Sequence, residues 1–290
     1  MSDVAAKLEV ARAPSSTSAR ILRSGRIQIG FVLMLAVIGI ALFGPLIAPY
    51  EASELVGIPF DVPQPDFLLG TDALGRDVLS RFLHGGVSLV WMSLCTTAIA
   101  IALATAMGLW AAYYKGWVDE TIMRIVDVKL AFPTTVFSLL FVTMFGPGKL
   151  LLVCVVGVSL APTASRVLRG AALAVVEREF IQHARAIGVP GARIILFEVL
   201  PNITSPLLVE VGLRLMWSIT ALAGLSFLGY GIQPPDADWG LMINENRNAL
   251  STQPWAVLVP VAAIAAFTVG GNIFAEGVSR VLGRTEGAAK

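Results

Sequence analysis

Residues 27–48 form a run of about 22 residues containing a single polar side chain, Gln28. A helix rises ~1.5 Å per residue, so this run matches a bilayer hydrocarbon core of ~30 Å. It exceeds the apolar region of a signal peptide and reads as a retained first span. Composition extends the argument to the whole chain. Of its residues, 56% are hydrophobic and only 14% charged, against a usual charged share of about 25%. Further apolar stretches at 87–113, 121–145, 150–165, 203–228 and 255–275 bring the number of spans to six. The expected fold class is an all-α integral membrane protein with six transmembrane helices, occupying residues 27–276.

The polar segments set the topology. Residues 1–26 carry Lys7, Arg12, Arg20, Arg23 and Arg26 and read as a largely disordered tail. Residues 50–81 contain Pro59, Pro63 and Pro65 with the acids Glu51, Glu54, Asp61, Asp66, Asp72 and Asp77, and read as an ordered external segment ending in a short helix. Residues 229–254, with Pro234, Pro235, Asp236, Asp238 and Glu245, form a second external segment, and a short basic tail occupies 277–290. Six spans put both termini on one side. That side, with Lys115 and the loop at 166–202, holds 14 Lys and Arg residues, whereas the other holds four: Arg76, Arg81, Lys149 and Arg247. Basic excess stays cytoplasmic, so both termini and the 166–202 loop are expected to face the cytoplasm.

Residues 178–202 are a polar island between spans. Phe180, Ala184 and Ile187 recur at i, i+4 and i+7 on one face of a predicted helix, with Glu177, Gln182 and Arg185 elsewhere. Gly188 suits a left-handed C-cap, and Pro190-Gly191 marks a turn and restart. A second short helix is expected to stop or kink at Pro201. So much ordered structure on the water side points to a docking surface for a soluble partner.

Charges within the spans are few. Arg124 and Asp127 stand at i, i+3 and Glu210 and Arg214 at i, i+4, spacings that suit structural ion pairs. Gating or substrate passage is the sharper alternative for Glu210 and Arg214. Lys129 is placed to snorkel. Ser88, Thr96, Thr97, Ser159, Thr204, Ser218 and Thr220 are candidates either to line a polar path or to bond helix to helix. Signals for chemistry are poor. Cys95 and Cys154 fall in apolar runs, and His84 and His183 have no partner at metal-ligand spacing. Gly148-Lys149 fails as a phosphate loop, since Thr143 stands where the first glycine belongs. No catalytic residue, metal site or cofactor is expected on this chain.

Several strings carry a resemblance. Gln182-His183-Ala184, Gly188 and Leu200-Pro201 have the spacing of the EAA loop of ABC-importer permeases, with two of the three eponymous residues replaced. Leu69-Gly70-Thr71-Asp72-Ala73-Leu74-Gly75-Arg76-Asp77-Val78-Leu79-Ser80-Arg81 closely resembles a signature of the peptide/nickel class of these permeases. Asp119, Met123, Arg124 and Asp127 with Phe132-Pro133, and Leu225-Ser226-Phe227-Leu228-Gly229 with Pro234-Pro235 and Trp239-Gly240, are similar to two further segments of that class. After Phe274 the chain departs from the class's acidic ending.

The resemblance implies a type I importer permease that moves di- or oligopeptides by alternating access. It implies a heterodimer with a second permease, two cytoplasmic subunits that bind ATP and Mg, and an external solute-binding protein. Within it, Glu179 and Arg185 would make polar contacts to the ATPase, with Phe180, Ala184 and Ile187 as the buried face and Gly188 fixing the turn. The residues leave open whether Gln182 or His183 touches the partner. Pro201 would close the coupling loop, and Asp72, Arg76 and Asp77 would serve an external gate or binding-protein contact. The alternatives are a nickel-chelate or glutathione importer, or a carrier driven by an ion gradient.

Overall fold

In the computed structural model, residues 24–287 are described, with side chains to residue 278. The tail expected at 1–26 therefore lies outside the described residues up to 23, as do the side chains of the C-terminal tail. Regular structure among the described residues is helical. The only β pairings are isolated bridges, Leu55 with Arg76 and Thr71 with Asp77.

Among the described residues, five helices are long and apolar enough to cross a bilayer. They are α1 (Gly25–Ile47), α2 (Val78–Tyr114), α5 (Lys149–Val176), α9 (Thr204–Phe227) and α11 (Trp255–Gly287, counted as a span to Val278). The third predicted span is not one rod. It consists of α3 (Gly116–Leu130) and α4 (Thr134–Phe145), bent by 81° at residues 131–133. The cause is Pro133, which has no N–H to give and whose ψ of 137° takes the chain out of the helical region. Hydropathy averages across the break and misses the angle.

Two spans outrun their predicted limits. α2 begins at Val78 rather than near 87, because Asp77 caps it through the Ser80 N–H and hydroxyl at 2.8 and 2.6 Å. The expected short external helix is thus its first turns. At 37 residues α2 is about 55 Å long, so its ends project beyond the hydrocarbon. α5 likewise continues to Val176, with Pro162 inside it, so the first part of the predicted loop at 166–202 is helix.

Packing uses small residues where helices meet in lipid. α1 lays Gly30, Val37, Ala41 and Gly44 against the bundle and leaves Phe31, Leu35, Phe43 and Leu46 exposed. A Cβ on Gly30 would stand 2.5 Å from the Gly270 carbonyl of α11. One apolar cluster, with Leu89, Trp239 and Phe267, fills the end carrying the segments at 50–77 and 229–254 (the cap end). A second, with Leu168, Ile181, Ile194 and Val199, fills the end carrying residues 177–203 (the loop end).

Candidate functional site: the coupling helix and the ionic cap

At the loop end, α6 (Glu179–Ala186) follows α5 after two residues. Glu179 lies in its first turn and His183 and Arg185 in its last, the signs that its dipole favours. Gly188 adopts φ +79°, its N–H bonding Arg185 O and the Val189 N–H bonding Ala184 O, both at 3.0 Å. These two bonds are the Schellman closure, and they need a residue at ease in the left-handed region. After Pro190, α7 (Gly191–Ile194), a π-turn (Ile195–Val199) and α8 (Leu200–Asn202) make one rod. Pro201 does not end this rod as predicted. It lies within the rod, just past the π-turn, and the break falls two residues on at Ile203.

The predicted face of α6 is divided in two. Ile181, absent from the predicted stripe, is fully buried, and Ala184 packs with it against the loop-end cluster. Phe180 and Ile187 point outward, 40% and 80% exposed, and are the apolar groups left for a partner. Arg185 is exposed on the same helix. Its Nη2 donates to Tyr113 O at 2.9 Å and its guanidinium lies 4.1 Å over the Tyr113 ring, so it ties α6 to the end of α2. Gln182 Nε2 donates back to Glu177 O at 3.2 Å, whereas His183 faces out with no hydrogen bond among the described residues.

At the cap end, Asp72, Arg76 and Asp77 are buried, 0%, 4% and 3% exposed. Asp72 takes the Leu74 and Arg76 N–H groups on Oδ1 and Arg76 Nε on Oδ2 at 2.7 Å. Glu245 of α10 (Trp239–Asn246) receives Arg76 Nη2 at 2.7 Å and Arg81 Nη2 at 2.9 Å on one oxygen. Arg81 Nε stands 3.4 Å from Asp72 Oδ2, a charge contact without hydrogen-bond alignment. Two guanidiniums and two carboxylates thus neutralise one another out of water, the arrangement that buried charge requires. Asp77 is the cap of α2, as described above. Asn246 Oδ1 accepts the Ala73 N–H at 2.9 Å, and Gln253 Nε2 donates to Asp61 O and Leu69 O, so both external segments form one body. Sequence reasoning missed Glu245 and Gln253 because their partners lie more than 160 positions away.

Asp238, the N-cap of α10, is fully buried with one oxygen accepting the Leu241 N–H at 3.0 Å. Burial pushes its carboxyl up to about 6, only partly offset by the N–H groups of the first turn.

Within the bundle, Arg214 Nε and Nη2 hold Glu210 Oε2 at 3.1 and 3.0 Å. The predicted pair Arg124 and Asp127 does not form, because Asp127 is engaged by Arg166 of α5 while Arg124 faces outward. Lys129 does not snorkel to the surface, since its Nζ donates to Ser159 O at 2.7 Å. Among the hydroxyls, Thr97 and Ser218 join α2 to α9 at 3.1 Å.

The described residues thus form a helical membrane bundle with a glycine-closed surface helix at one end and an ion-locked cap at the other. Residues 104–285 match the inner membrane component of binding-protein-dependent transport systems, and the chain belongs to that family. It is 31% identical to the dipeptide transport system permease protein DppC of Alkalihalophilus pseudofirmus, over 88% of this chain and 84% of that protein. It is 32% identical to the di/tripeptide transport system permease protein DppC of Pseudomonas aeruginosa, over 87% and 86%. It is 35% identical to the glutathione transport system permease protein GsiD of Escherichia coli O157:H7, over 87% and 83%. In fold it is similar to a chain of the inward-facing MetNI methionine ABC transporter, with a TM-score of 0.51 at 15% identity, covering 68% of this chain and 96% of that one.

Proposed function

We propose that this chain is one of two non-identical permease subunits of an ATP-driven importer of short peptides. It lies in a bacterial inner membrane with the loop end and both termini in the cytoplasm, as the distribution of basic residues directs. The observation that carries the reading is α6, anchored from beneath by Ile181 and Arg185 while Phe180 and Ile187 stand exposed. A helix held so firmly, with apolar side chains facing water, fits a socket on a soluble subunit. That subunit is an ATPase, present in two copies, and it supplies the ATP and Mg chemistry. The dipeptide, di/tripeptide and glutathione carried by the relatives' systems are all short peptides, which sets the cargo class.

Closure of the ATPases displaces α6, and the bundle opens outward in alternating access, with this chain lining half of the path. On the outside, the ionic residues Asp72, Arg76 and Asp77 stiffen the cap, and the exposed Leu55, Ile58, Leu68 and Leu74 offer the face for a solute-binding protein.

The test is purification from the native membrane followed by reconstitution in liposomes. A second permease and ATPases should accompany the chain, and peptide with its binding protein should raise ATP hydrolysis. A chain that purifies alone and moves solute on an ion gradient without ATP would overturn the reading.

A further inference from the structure

α3 is held to the bundle by charge rather than by apolar packing. Of its 15 residues only Val126 is buried. Its ion pairs go to α5. Asp119 grips Arg169 with both oxygens, Nε at 2.6 Å on Oδ1 and Nη2 on Oδ2. Asp127 pairs with Arg166, and Lys129 Nζ reaches Ser159 O at 2.7 Å. Lys115, at the N-cap of α3, lies 3.2 Å from Glu177, one residue past α5. These contacts run in opposite order along the two helices, as antiparallel neighbours require, and all fall on residues 159–177. That half of α5 leads directly into α6.

The contacts are unequal. Asp127 and Arg166 are about half exposed (51% and 52%), where an ion pair contributes little. Asp119 and Arg169 are more sheltered, 19% and 30% exposed, and their two-pronged geometry resists rotation as well as separation.

The backbone is weakened next to this zone on both helices. α3 ends at the 81° bend before Pro133. In α5, Pro162 has no N–H to give the Val158 carbonyl, so the ladder is one bond short. The neighbouring carbonyls of Ser159 and Leu160 accept from Lys129 and from Arg214 of α9, the latter at 3.4 Å. Hinges are element-terminal or interrupted positions of this kind. On the other side of the zone, Ile181 of α6 is buried in one cluster with Leu168 and Val175 of α5.

We infer that α3, α5 beyond Pro162, α6 and the end of α2 to which Arg185 ties it move as one body hinged at Pro133, with Asp119 and Arg169 as the positioning residues that pass a displacement of α6 to the third span. The inference rests on the importer reading above.

The test uses the complex with its accompanying subunits in nanodiscs, with Cys95 and Cys154 replaced by Ala. Spin labels at Glu120→Cys and Ala174→Cys report across the ion pairs, and labels at Glu120→Cys and Met144→Cys report across the bend. All three label positions are exposed. On trapping with ATP and vanadate, the first distance should hold and the second should shift. A shift in the first, or none in the second, overturns the inference.

In parallel, Asp119→Arg should cut binding-protein-stimulated ATP hydrolysis about tenfold while leaving basal hydrolysis intact. The exchange Asp119→Arg with Arg169→Asp should restore it. Failure of the exchange, or a parallel loss of basal hydrolysis, reduces the pair to a structural role. A wild-type complex without stimulated hydrolysis sinks the importer reading and this inference with it. A wild-type complex that hydrolyses but fails the distance test sinks only the inference.

Discussion

Arg81 and Glu245 lie 164 positions apart in the chain, and their Nη2 and Oε2 atoms meet at 2.9 Å inside the cap. The same Glu245 oxygen holds Arg76, so one carboxylate of α10 joins two cations of the 50–81 segment. The cap is therefore a single unit built from both external segments, and its ionic residues act by holding it together.

Removing Glu245 should be costly. Glu245→Ala leaves two buried guanidiniums with Asp72 as their one remaining carboxylate, and breaking a buried pair costs about 3–5 kcal/mol. Thermal unfolding in detergent should show a large loss of stability. Asp66→Ala, an exposed acid of the same segment, should change it little. Equal effects from the two would refute the ionic lock.

Asp238 should make stability depend on pH. Its folded carboxyl titrates at about 6 and its unfolded one near the ordinary 3.8, so between these values the folded chain binds more protons. Its contribution therefore falls as pH rises from about 4 to 6 and is flat above, a span of about 3 kcal/mol. Asp238→Asn keeps an N-cap side chain and abolishes the charge. The melting temperature of the variant minus that of wild type should grow as pH rises through this window. A difference that does not vary with pH would show that the carboxyl is unperturbed.

Gly188 should accept asparagine and reject valine. A Cβ there meets nothing within 4 Å, so the only cost is the left-handed backbone at φ +79°. Asn tolerates that region, whereas a β-branched residue does not. Gly188→Val should lose stimulated ATP hydrolysis and Gly188→Asn should keep most of it. Full retention in Gly188→Val would mean that the turn plays no part in coupling.

Ile181 and Ile187, six residues apart, should behave as opposites. Ile181→Asp buries a charge in the loop-end cluster and should abolish folded yield. Ile187→Asp, at an 80% exposed position, should fold normally and lose the co-purifying ATPase. An Ile187→Asp complex that stays intact and active would place the docking face elsewhere on the loop.

The apolar runs, the polar island at 178–202 and the Gly188 turn were legible because each depends on local terms: transfer of a segment into lipid, and the conformational freedom of one residue. Phe132-Pro133 was visible as a string, but the 81° bend before it leaves no trace in a hydropathy window averaged across it. The stripe of Phe180, Ala184 and Ile187 was a correct periodicity read without its neighbours, and only the α5 and α7 surfaces made Ile181 the anchor.

By itself, the sequence determined that this is a helical membrane protein, where its apolar spans lie and which loop carries the glycine-closed surface helix. The tertiary structure decided which charges meet. Asp127 chose Arg166 over Arg124, Arg185 turned to Tyr113, and Arg76 and Arg81 found Glu245. The physical reason is that a helix propensity or a lipid preference is summed over neighbours in the chain. A buried charge is satisfied only by a partner that folding brings within about 3 Å, and no local pattern names that partner.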